Sequence, residues 1–110
     1  MMRDDRQLAA VCKAVCRRIP KDVELWTERG PTDLAVQWAK SNPLSTGENA
    51  LLHVAWALWN GSSTSKAKFG DVLDGLHDEG LSVVGSLFVA VSEGAGAVDR
   101  WIEAQEVRHG

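Results

Sequence analysis

Apolar residues recur at steps of three and four along almost the whole chain, the spacing that lays one stripe along an α-helix. Leu8, Val11, Cys12, Val15 and Ile19 make the first stripe. Asp4 and Asp5 stand at its start and Arg17 and Arg18 at its end, which complements the helix dipole, and Pro20 stops it. Around Val23 to Trp26 the pattern predicts one or two further helical turns, closed by Gly30-Pro31. Thr32 is placed to cap a helix that buries Leu34, Ala35, Trp38 and Ala39, and Asn42-Pro43 ends it.

Ser45 and Glu48 then match a capping box, in which hydroxyl and carboxylate each satisfy a free backbone N–H. The helix they open, Glu48 to Asn60, is apolar on nearly every side. Such a helix belongs in the middle of a bundle. After the loop Gly61–Ser65, Phe69, Val72, Leu73 and Leu76 give another helical face, with Asp71, Asp74 and Asp78 on its wet side. Gly80 reads as a left-handed C-cap before apolar Leu81. The valine-rich segment Leu81 to Val91 has strand propensity. Yet Val84, Leu87, Phe88 and Val91 keep helical spacing, with Ser82 to cap the start and Gly94 the end, so it is read as a second buried helix. A last helix from about Ala97 turns Val98, Trp101 and Ile102 inward. Nothing reads as a hairpin. The expected fold is all-α: a compact single-domain bundle over residues 1–110, of six to seven short helices, with two central hydrophobic helices at about 48–60 and 81–92.

Composition narrows the function classes. The 110 residues are 45% hydrophobic and 25% charged, an ordinary balance for a globular chain able to bury a core without staples. Two cysteines make no disulfide scaffold, and a net charge of -3 gives no general attraction to nucleic acid. The N-terminal apolar run Leu8 to Cys12 is five residues long, with acidic residues where a secretory leader would be basic. No stretch approaches the ~18–20 apolar residues that span a bilayer. Those features, with free thiols, lead us to expect a cytoplasmic location.

Chemistry-bearing residues are sparse. Cys12 and Cys16 share a helical face, but four metal ligands do not assemble from them and the scattered His53, His77 and His109. They read as small apolar core residues. His53 lies in the most apolar helix, and no nucleophile motif accompanies it. Asp71, Asp74 and Asp78 have a spacing that suits a magnesium–phosphate site, but it suits the solvated side of a helix better. Gly61–Lys66 has a phosphate loop's hydroxyls without its second glycine or its preceding strand, and at most would hold one anion weakly. None of these patterns calls for a catalytic residue, a cofactor or a metal.

Two features point to partners. Five tryptophans, Trp26, Trp38, Trp56, Trp59 and Trp101, follow apolar stripes in a chain with limited interior, so some indole surface is expected at an interface. Charge is also polarised. Residues 1–30 hold seven basic and five acidic groups, and the other eighty hold five and ten. The expected function is therefore a non-catalytic, intracellular protein–protein interaction module that self-associates, with a homodimer as the first partner to consider. A DNA-binding regulator is the alternative, using the basic patch Lys13, Arg17 and Arg18 of the first helix. Against nucleic acid stands the helix after Gly80, which carries no Lys or Arg from Leu81 to Ser92. A small-ligand bundle with His53 and tryptophans lining a pocket is the third reading.

Overall fold

The computed structural model describes residues 5–19, 23–41, 44–60, 74–76 and 78–109. Five helices and one small antiparallel hairpin run through them, fewer helices than the six to seven expected. In chain order they are α1 (Asp5–Cys16), β1 (Trp26–Thr27), β2 (Gly30–Pro31), α2 (Asp33–Ser41), α3 (Thr46–Asn60), α4 (Asp78–Glu93) and α5 (Ala95–His109). The Gly61–Ser65 loop, the face formed by Phe69, Val72 and Leu73, the carboxylate Asp71, and His77 lie outside the described residues.

The segment expected as a helical turn before Gly30-Pro31 is instead the hairpin. Trp26 pairs with Pro31 and Thr27 with Gly30. Side-chain hydroxyls hold it where two-residue strands offer few ladder bonds. Thr27 Oγ1 donates to the Gly30 carbonyl at 3.1 Å and accepts from the Arg29 N–H at 3.1 Å. Thr32 does two jobs at the hairpin's exit. Its hydroxyl donates to the Glu24 carbonyl at 2.8 Å, and accepts from the Ala35 N–H at 3.3 Å as the N-cap of α2. One threonine thus ties the hairpin's base to the next helix.

The capping box before α3 forms as its spacing requires. The Ser45 N–H donates to Glu48 Oε1 at 3.0 Å, and the Glu48 N–H lies 3.4 Å from Ser45 Oγ. At the other end of the fold, Gly94 takes φ +109° and its N–H donates to the Ala90 carbonyl at 3.2 Å. That left-handed residue ends α4 and lets α5 begin at once on a new axis. The turn is pinned from outside by Gln7 of α1, whose amide donates to the Ala95 carbonyl and to Asp99 Oδ1, each at 3.0 Å.

The centre of the fold is occupied by α1 and α3. Helix α1 packs against α3, α5 and β1, and α3 also receives α2. Ala9, Val11, Cys12, Ala14, Val15 and Cys16 of α1 are all buried, so small side chains surround more than half of its circumference. That allows neighbouring backbones to approach from two sides; the Cys12 thiol sits 3.4 Å from the Ala55 carbonyl of α3. Helix α4 was expected at the centre and is not there. It packs mainly on α5, burying Val83, Val84, Leu87 and Ala90 and leaving its opposite side to solvent. Gly80, expected as a helix end, lies within its first turn, and Ser82 lies inside the helix rather than capping it. No helix among the described residues is long and apolar enough to cross a membrane.

Candidate interaction surface

The outward side of α4 is built from Leu81, Gly85, Phe88, Val89 and Ser92, all exposed. Leu81, Phe88 and Val89 show 42%, 47% and 59% of their surface. No charged residue occurs from Gly80 to Ser92, although a solvated helix face ordinarily carries several. Of the three serines on this side, Ser82 stands exposed beside Leu81 and the other two are engaged. Ser92 Oγ donates to the Val89 carbonyl at 2.6 Å, and Ser86 Oγ donates to the Val83 carbonyl at 2.8 Å while accepting from Trp101 Nε1 at 2.9 Å. What solvent meets is an apolar ridge, and at its crown Gly85 has no atom within 4 Å of where a Cβ would stand.

The tryptophans are distributed differently from the expected interface. Trp26 and Trp101 are enclosed within the one chain, at 1% and 7% exposure. Trp26 is the hub of a cluster: its ring meets Trp56 edge-on at 5.3 Å and 73°, and Trp59 at 6.0 Å and 77°. Both of those edge-on geometries are favourable for indoles. Trp38, Trp56 and Trp59 are half-buried and pack against the core. The largest exposed apolar side chains are aliphatic residues and Phe88, not indoles.

The basic patch divides. Arg18 turns inward, its guanidinium donating to Gln105, a buried polar residue of α5. Lys13 and Arg17 instead line a shallow hollow of about 420 Å³ with Cys16, Leu25 and Trp26, and Glu24 is on its wall. A second hollow places Glu28 and Glu106 beside the same two cations. Among the described residues, acidic groups thus interleave with the basic ones around Lys13 and Arg17. The helix end expected at Gly80, before the segment weighed against nucleic acid, is absent as well, because α4 runs unbroken through it.

No family model, curated protein or solved structure matches this chain. Its chemistry therefore rests on its own geometry. Cys12 and Cys16 are free and buried, and burial pushes the Cys12 thiol up to about 12 and raises that of Cys16 as well. Neither is a nucleophile near neutral pH. Among the described residues, no group of three or more His, Cys, Asp and Glu is placed to hold a metal ion. Asp74 and Asp78 are exposed.

His53 is half-buried on α3, and desolvation lowers its pKa below the ordinary 6.5. The unfolded chain therefore takes up this proton at a higher pH than the native chain does. Stability from this residue is intact above about pH 6.5 and declines as pH falls from there towards the lowered native value. We expect the urea midpoint to be lower at pH 5.5 than at pH 7.5, and His53→Gln to shrink that difference. Identical pH profiles for the two proteins would show that His53 contributes nothing to it.

Proposed function

We propose that this chain is a non-catalytic helical interaction module that engages its partner through the outer face of α4. One observation carries the reading: Leu81, Phe88 and Val89 stand exposed on a single helix face without a charge between Gly80 and Ser92. Depletion of charge around exposed aliphatic and aromatic side chains is the compositional mark of an interface core, and it is this lack of charge rather than its area that sets the face apart. The rest of the helix is anchored by Val84, Leu87 and Ala90, so the face is presented by a rigid element. Two free, buried thiols suit a reducing compartment such as the cytoplasm.

Site-specific photo-crosslinking in the producing cell tests this reading. A photoreactive side chain at Val89 should give discrete adducts, while one at exposed Glu103 of α5 should not. The Val89 adducts should disappear when Phe88→Lys is added. Absence of any adduct from Val89, or adducts indifferent to Phe88→Lys, would overturn the reading.

A further inference from the structure

Along the crown of α4, the exposed residues Leu81, Gly85, Phe88 and Ser92 follow one another at spacings of four, three and four. That is the seam spacing of a two-helix coiled coil. Large and small residues alternate along it: Leu81 and Phe88 project, while Gly85 and Ser92 leave room. Two such seams running antiparallel about an axis between Gly85 and Phe88 place every large residue opposite a small one. Leu81 faces Ser92 of the other copy, and Phe88 faces Gly85. Running parallel, they would stack Phe88 on Phe88 and leave Gly85 against Gly85.

We infer that the occupant of this face is a second copy of the same chain, docked antiparallel along α4, with each Phe88 seated over the other copy's Gly85. This rests on the reading of α4 as the interaction face and goes further by naming the partner. The seam's chemistry favours a copy of itself. It carries no charge from Gly80 to Ser92, so like charges meet only at its two ends, where exposed Glu93 approaches the other copy's Asp78, whereas a charged partner would bury charges unpaired along the middle. The Ser92 hydroxyl is bonded to its own helix and asks nothing of the other side. The notch is open, since nothing lies within 4 Å of a Cβ at Gly85. An isologous contact of this kind closes on itself and stops at two copies. The three half-exposed apolar side chains offer on the order of 250 Å² per copy, against ~800 Å² per partner in a standard complex. The dimer is accordingly weak and concentration-dependent.

Sedimentation velocity of the purified full chain over a wide concentration range tests the inference. The parent should show a monomer–dimer equilibrium. Gly85→Phe fills the notch and Phe88→Ala removes the knob, so each alone should weaken dimerisation by more than about tenfold. The double variant G85F/F88A rebuilds knob and notch with their positions exchanged and should dimerise far better than either single. Both sites are exposed, so far-UV circular dichroism and urea midpoints are expected to show every variant folded. As a second readout, mixing Leu81→Cys chains with Ser92→Cys chains should give a disulfide-linked pair that neither gives alone. A parent that stays monomeric throughout, or a double variant no better than the singles, overturns the second-copy inference. If the parent is monomeric while Val89 still crosslinks to a different protein in the cell, the α4 interaction face stands and only the identity of its occupant falls. If neither is seen, both fall.

Discussion

Trp26→Ala is expected to remove about 4 kcal/mol of folding stability, which for a domain of this size is a large fraction of the ~5–15 kcal/mol available. Trp26 is 1% exposed and is the ring against which both Trp56 and Trp59 set their edges. Truncation to alanine forfeits the transfer energy of a whole indole and leaves two neighbouring rings facing a void. Trp26→Phe should be much milder. The indole N–H of Trp26 is buried without a hydrogen-bond partner, so phenylalanine gives up volume but also removes a donor that is unsatisfied in the native state. Urea unfolding followed by circular dichroism separates the two. The result also decides between two roles for this residue, because truncating an interface tryptophan weakens association and leaves the fold intact. A Trp26→Ala protein as stable as the parent would show that the indole cluster is not what holds the hairpin to α3.

How much of this was legible in the sequence depended on the range of the interactions. The helix starts at Thr32 and Ser45 are written within four residues, and their caps form with the partners that the spacing names. Gly94 was equally readable as a helix end, since left-handed backbone selects glycine. The hairpin was not. Strands of two residues are too short to alternate, the Glu28-Arg29 turn lacks the usual Asn-Gly signal, and the Thr27 and Thr32 hydroxyls that support it accompany many turns and caps that are not hairpins. Gly80 misled for the opposite reason, looking like a stop where the helix carries on.

The misplacement of 81–92 has a more general cause. A helix apolar all round is consistent with burial by its own chain on every side, or with burial on one side and a partner on the other. Helix α3 is nearer the first case, with no residue from Gly47 to Trp59 exposed, and α4 is the second on our reading, and hydropathy alone scores them alike. The small residues of α1 conveyed the reverse impression. Asp5, Arg6, Gln7 and Lys13 offset its alanines, valines and cysteines in any average, yet those small apolar residues let the helix sit at the centre. The tryptophan count pointed towards a surplus of apolar surface, but the surplus is at Leu81, Phe88 and Val89, and two of the indoles are enclosed.

Gly30→Ala is expected to destabilise the fold by about 3 kcal/mol, from two sources that a control can separate. Gly30 has φ +120°, a region open to glycine and strained for any residue with a Cβ. In addition, an added Cβ would stand 2.8 Å from Cζ2 of Trp59, closer than non-bonded carbons tolerate. The indole of Trp59 has little freedom to retreat, because its ring is set against Trp26. Gly94 provides the control. It has a comparable φ of +109°, and nothing lies within 4 Å of its would-be Cβ. Gly94→Ala should therefore show the backbone strain alone, on the order of 1–2 kcal/mol. The excess at Gly30 then measures how firmly the tryptophan cluster grips the hairpin turn. Equal losses at the two positions in urea unfolding would mean that Trp59 moves aside freely. The cluster would then be a loose cover rather than the clamp that fixes β1 and β2 against α3.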